Sequence, residues 1–378
     1  MLTIEAEIEN VKYHPQLCKS LEQVSLQDFR SGLAFRRASF LVEYAPQKIF
    51  AISHWRSPKR TRTYPYARVY DTLAYDSRVT IVPFGKDEGF QGDRDFLQWD
   101  TVSLMSLLKV YVIPAYYKSA IRSKRYPDKI TQQSFDYEYL FERLTALAEF
   151  NQSDAVHWNM NEIREQGPVV AKQAASYYAH IAEQTGVRMH SLREMDKRIA
   201  EMFRAVETFR ARSRAHAQSA QGRESKTIHS SERLSGDKAI ITIKNFIGGY
   251  YFWTVDEAQI ADGRLFLIEK KHSKGKILPS LNDIKDAFLR MVLFSNLANL
   301  TVGGKKYKPY PVIGLTSDLL RGVCHSKMNE REIERFFGEN QLQSRARELV
   351  VRIFGEGRMN NFVVLVGAPD IDAVRNLL

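Results

Sequence analysis

The apolar positions of this chain fall into two periods, and each predicts its own kind of element. Residues 251–260 and 265–268 are rich in aromatic and β-branched side chains and flank Ala261-Asp262-Gly263, a turn sequence, so they predict a β-hairpin. Residues 239–243 predict a strand before it, and 311–315 and 362–366 predict strands after it, with helical spacing around 330–354 between those two. Asn282 or Asp283 is placed to cap a helix that carries Ile284, Ala287, Phe288, Met291 and Val292 on one face.

Upstream the same periods alternate. Residues 21–29 carry a helical signal and 39–44 a β-like one. Residues 79–84 and 110–113 read as strands around a helix over 102–108, capped by Asp100 or Thr101. Tyr137, Leu140, Phe141, Leu144 and Leu147 recur at helical spacing. Pro168 suits the first turn of a helix running towards Glu183, which Gly186 ends. Leu192, Met195, Ile199, Met202, Val206 and Phe209 then form either a coiled-coil seam or the face of a core helix. Residues 210–233, rich in Arg, Ser, His and Gln, read as a mobile basic linker. The expected organisation is an N-terminal α/β domain over 1–155, a helical segment and linker over 156–235, and a second domain over 236–378.

Charge adds a partner. The 378 residues carry a formal net charge of +11, and 44% are hydrophobic, enough for two or three cores in a field that attracts polyanions. The basic residues cluster: Arg56, Lys59, Arg60 and Arg62 surround Pro58 and precede Tyr64 and Tyr66, while Lys118, Arg122, Lys124 and Arg125 form a second patch. Arginines pairing with phosphates and tyrosines stacking on bases would make these a DNA contact, with Arg94 and Gln98 as further candidates. Cys18 and Cys324 lie too far apart in sequence to suggest a disulfide framework or zinc site. No apolar run is long enough for a membrane span and the N-terminus lacks the form of a signal peptide, so a cytoplasmic protein is expected.

Folding the chain at Asp262-Gly263 brings Asp256 beside Glu269, and strand alternation sends Glu269 and Lys271 to one face. Two carboxylates can hold Mg²⁺ against a phosphate, and an amine beside them can orient water and offset charge in the transition state. Asp256 and Glu269 are therefore the expected metal ligands and Lys271 the catalytic amine. Glu257 and Lys270 stand next to the chosen residues and remain alternatives, as does a second acidic cluster at Asp87, Glu88, Asp93 and Asp95. A solvated cross-strand charge cluster would give the same spacing.

This Asp-x₁₂-Glu-x-Lys string resembles the PD-(D/E)xK nuclease superfamily, with Val255 where that superfamily usually has proline. Its continuation through Leu278-Pro279-Ser280 and Asp283-Ile284-Lys285-Asp286 resembles a group of type II restriction endonucleases, and so does the stretch 66–117. The resemblance implies a restriction-endonuclease-like α/β core, a mixed central sheet flanked by helices in the order helix, three strands, helix, strand. It also implies Mg²⁺-dependent hydrolysis of double-stranded DNA at a short sequence, a homodimer, and a functionally linked DNA methyltransferase. A repair or structure-specific nuclease with this core, or an inactive sequence-specific DNA-binding protein, would share the pattern.

Overall fold

The structure is a computed structural model, which describes residues 2–58, 65–150, 154–190, 237–245, 247–370 and 372–378. The expected seam over 192–209 and the linker over 210–233 lie outside the described residues. The chain divides into two compact units, one of Met1–Cys18 with His216–Leu378 and one of Lys19–Ala215.

That division differs from the boundaries expected at 155 and 235. Leu2–Ile8 buries Ile4, Ala6 and Ile8 on one face and pairs in parallel with Asp237–Asn245, so the first strand belongs with the C-terminal half. Beyond it, buried Glu356 accepts hydrogen bonds from the Gln16 and Leu17 N–H groups (3.0 and 3.1 Å) and from the Tyr13 hydroxyl. Asn360 exchanges two hydrogen bonds with the His14 backbone (2.7 and 2.9 Å). The helices expected to form a separate middle segment join the strands before them. Asn159 donates to the Val110 carbonyl (3.0 Å) and accepts from the Val112 N–H (2.6 Å), and the Trp158 indole donates to the Val112 carbonyl (3.0 Å).

The unit of Lys19–Ala215 is α/β. Its five-stranded sheet runs Gln23–Val24, Ser39–Ala45, Lys48–His54, Arg78–Pro83, Val110–Ala115. Two small antiparallel ribbons, Gly85–Asp87 with Arg94–Phe96 and Tyr117–Arg122 with Ile130–Phe135, extend from it. Asp136 caps the helix Tyr137–Glu149, and Gly186, at φ 64°, ends Gly167–Thr185. The helix Trp99–Leu107 starts earlier than its sequence suggests: Gln98 is the cap position, and Asp100 and Thr101 lie inside the first turn because every side chain of this helix is buried.

The other unit is built on a nine-stranded mixed sheet in the order Lys305–Lys306, Ala298–Val302, Leu2–Ile8, Asp237–Asn245, Tyr250–Ala261, Arg264–Ser273, Lys308–Ser317, Val363–Gly367, Val323–His325. The expected hairpin is Tyr250–Ala261 and Arg264–Ser273. Asp262 and Gly263 both have positive φ (48° and 70°), as a two-residue hairpin turn of matching twist requires. Arg264–Ser273 then pairs in parallel with Lys308–Ser317, and Leu265, Phe266, Leu267 and Ile268 are fully buried, as both faces of an inner strand should be. The helix Leu281–Phe294 packs on these two strands. Its cap is Ser280, whose hydroxyl accepts from the Asp283 N–H at 3.2 Å, rather than Asn282 or Asp283. Among the described residues no helix is long and apolar enough to cross a membrane.

Candidate active site

The hairpin ladder ends where the chemistry was expected. Glu257 opposite Ile268 is its last pair; from Glu269 onward Arg264–Ser273 keeps its ladder only with Lys308–Ser317. On the far side, Asp237 pairs with Ala258 and Ala239 with Val255, so Asp256 and Glu257 together stand against one residue. This bulge bends the strand away from its partner and turns Asp256 into the gap. The Lys270 N–H, left without a strand partner there, donates to Asp256 Oδ2 at 2.8 Å.

Glu269 sits across the gap, 1% exposed. Its Oε1 accepts from Lys271 Nζ and its Oε2 from Arg290 Nη1, both at 2.9 Å. Arg290 arrives from the helix Leu281–Phe294, where Asp283, Asp286 and Arg290 form a half-buried polar stripe on a helix that is otherwise buried from Ile284 onward. The Trp253 ring lies 5.6 Å below its guanidinium.

The charges of this cluster act on one another. Burial, reinforced by the negative charge of Glu269, pushes the Asp256 carboxyl up to about 7. Burial pushes Glu269 upward too, but Arg290 and Lys271 outweigh it and hold Glu269 below the ordinary glutamate range. Glu269 in turn raises Lys271. Asp286 is driven by burial to about 6, and its Oδ1 is buried with no hydrogen-bond partner. Asp286 and Arg290 are the site residues that the hairpin motif does not contain; their signal was the i, i+4 polar pair interrupting an apolar helix.

The alternatives are placed elsewhere. Glu257 and Lys270 are both buried and their charges meet at 2.7 Å, outside hydrogen-bonding angles. The Lys270 stem lies against Gly314, its parallel neighbour, and its head is buried with Glu257. In the second acidic cluster, Asp87 accepts from the Gly89 N–H at 2.9 Å and lies 2.8 Å from His190 Nδ1, while Glu88 pairs with Lys86 at 2.6 Å. These carboxylates shape a loop. Among the described residues no group of three or more His, Cys, Asp or Glu side chains is arranged to hold a metal ion.

The basic candidates all belong to the unit of Lys19–Ala215. Lys59, Arg60, Arg62 and Tyr64 lie outside the described residues. Arg56 is exposed, and nearby Arg68, absent from the motif reading, is lowered to about 10 by burial and by Arg56. Tyr66 is not available to a base: it is buried in the helix Pro65–Thr72, edge-on to Trp55. Arg94 is half-buried with its guanidinium 5.0 Å from the Phe96 ring. Lys118 is paired with Asp136 at 3.1 Å. Arg122, Lys124 and Arg125 are exposed on the ribbon Tyr117–Arg122 and the turn after it.

The donor chemistry of the pair Asp256 and Glu269 suits a cation: Asp256 is pushed up to about 7 by burial and by the charge of Glu269, which a bound cation would relieve, and each Glu269 oxygen has a second lone pair beyond the hydrogen bond it accepts. Oxygen donors of this kind suit a hard ion such as Mg²⁺. No protein-family model, curated protein or solved structure matches this chain.

Proposed function

We propose that this protein is a Mg²⁺-dependent endonuclease of the PD-(D/E)xK type that cuts double-stranded DNA at a short sequence, as a cytoplasmic homodimer in a type II restriction system. The observation that carries the proposal is the meeting of Asp256, Glu269 and Lys271 at a parted hairpin. Three further features support it. The antiparallel strands Asp237–Asn245, Tyr250–Ala261 and Arg264–Ser273, then the helix Leu281–Phe294 and, after the short strands Ala298–Val302 and Lys305–Lys306, the parallel strand Lys308–Ser317 are compatible with the part of the implied core order that comes after its first helix. The net charge of +11 favours a polyanionic substrate. The free cysteines Cys18 and Cys324 suit a reducing compartment.

Asp256 and Glu269 would hold Mg²⁺, with Asp286 beside Glu269 adding negative charge, and the ion would supply Lewis-acid polarisation of the phosphoryl group when bound. Lys271, positively charged and fixed by Glu269, orients the attacking water and offsets charge on the phosphoryl oxygens as they approach the transition state. Arg290 keeps Glu269 ionised and in place. In the hydrolysis, water adds at phosphorus, one P–O ester bond breaks, and the departing oxygen takes up a proton.

The test is incubation of the full chain with a plasmid panel in Mg²⁺ or in EDTA, with the ends mapped. Discrete fragments that need Mg²⁺ and vanish in Asp256→Ala are expected. Intact plasmids across a panel covering short sequence combinations would sink the proposal.

A further inference from the structure

The sheet that carries the carboxylates holds a second, chemically opposite cavity. It lies around the start of the strands Arg264–Ser273 and Lys308–Ser317, five residues from Glu269 along the first of them, about 17 Å at a strand's rise. Its volume is about 820 Å³, within the roughly 300–1,000 Å³ of small-molecule sites. Arg264, Lys308, Lys327 and Arg358 line it, and no Asp or Glu does.

None of these four cations forms an ion pair with a carboxylate among the described residues. Two are positioned by an uncharged group instead: Lys327 donates to the Tyr310 hydroxyl and lies 4.7 Å from its ring, and Arg264 lies 5.3 Å from the same ring. Contacts to an aromatic face fix a cation without neutralising it. The helices Leu281–Phe294 and Ser344–Met359 both end at the cavity, through Phe294 and Ser295 and through Gly357 and Arg358. Each C-terminus contributes about half a negative charge. Together they offset about one of the four positive charges, and about three remain. A phosphate monoester, at about −1.5 to −2, is the common biological group that meets such a field. Phe294, Leu297, Pro309, Pro311 and Phe362 form an apolar part of the wall, with Ser326 and Asn361 as polar points beside it, and this mixture suits a flat, weakly polar body attached to that phosphate.

We infer that this cavity binds a nucleotide, with its phosphate against Arg264, Lys308, Lys327 and Arg358 and its base against the apolar wall. A free nucleotide and the phosphorylated end of a DNA strand offer the same chemistry. The inference does not depend on the cleavage reading.

The test is calorimetric titration of the full chain in EDTA with dTMP, thymidine, and a single-stranded hexanucleotide with or without a 5′-phosphate. A Lys308→Ala/Arg358→Ala variant is run beside it; both side chains are exposed, and an unchanged melting temperature verifies its fold. The expected result is that dTMP, the phosphorylated strand, or both bind at least tenfold more tightly than their phosphate-free counterparts, and that the variant loses most of this preference. Binding of dTMP assigns a free nucleotide, and binding of the phosphorylated strand alone assigns a strand end. No preference for the phosphate, or a preference unchanged in the variant or in Lys327→Gln, overturns the assignment. Because the readout is binding without divalent ions, it stands or falls apart from plasmid cleavage.

Discussion

The Lys270 N–H donates to Asp256 at 2.8 Å, so the carboxylate occupies the place of the strand that has turned away. One backbone hydrogen bond does not compensate a buried charge, and Asp256 is raised to about 7. An acid whose folded pKa lies above its unfolded value near 4 contributes stability that is complete below about pH 4 and lost as pH rises through about 7. In EDTA the protein is therefore expected to melt at lower temperature at pH 8 than at pH 6, and Asp256→Asn to be the more stable form at pH 8. Adding Mg²⁺ at pH 8 should raise the melting temperature of the wild type and not of the variant. Melting curves of the two proteins that stay parallel across this range would count against the assigned environment of Asp256.

Lys270 and Lys271 are adjacent in sequence and opposed in role. Lys271→Ala should lower single-turnover cleavage by about 10²–10³, the scale of losing one transition-state electrostatic contact, with the fold intact. Lys270→Ala removes from buried Glu257 the charge that meets it at 2.7 Å, and a loss of up to about 3–5 kcal/mol of stability is expected, seen as a fall in the denaturant midpoint. The opposite ranking, a stable but inactive Lys270 variant, would mean that the strand register is wrong.

Arg290 holds one oxygen of Glu269 and helps keep that carboxyl ionised. Arg290→Ala should reduce cleavage by about 10- to 100-fold, as loss of a residue supporting a ligand does. The acid limb of its pH–rate profile should move to higher pH, because Glu269 then becomes harder to ionise. Arg290→Lys keeps the charge and should recover part of both effects. A rate loss with an unmoved acid limb would reduce Arg290 to packing against Trp253.

The ribbon Tyr117–Arg122 and the turn after it present Arg122, Lys124 and Arg125 to solvent. If they track phosphates, replacing all three by Ala should flatten the dependence of duplex affinity on salt, lowering the slope of log K against log[salt] by about 2–3. An unchanged slope would place phosphate contact elsewhere.

Much of the site was legible because its geometry is local. Period-2 alternation put Glu269 and Lys271 on one face, and Asp262-Gly263 fixed the register that brings Asp256 near them. The Glu257–Lys270 pair was harder to see: Lys270 lies two residues along from Ile268, the residue opposite Glu257, and is therefore the diagonal neighbour of Glu257, so their contact follows only from the register. Asp286 and Arg290 needed the third dimension, since a helix must first be laid on the sheet before its polar stripe faces anything. The two compact units differ from the boundaries at 155 and 235 for a related reason. A parallel strand pair leaves no turn in the sequence to announce it, and nothing near Leu2–Ile8 points to Asp237–Asn245.

That first strand has a consequence for a chain still being made. Leu2 pairs with Ala239, and at roughly 5–20 residues per second the partner is synthesised about 12 to 50 s later. Lys19–Ala215 is complete in the meantime, so its sheet and exposed basic ribbon can form first. The carboxylate cluster has to wait for Arg264–Ser273 and then for the helix bearing Arg290. Synthesis order thus delays the assembly of Asp256, Glu269 and Lys271 until after the whole of Lys19–Ala215 has been translated.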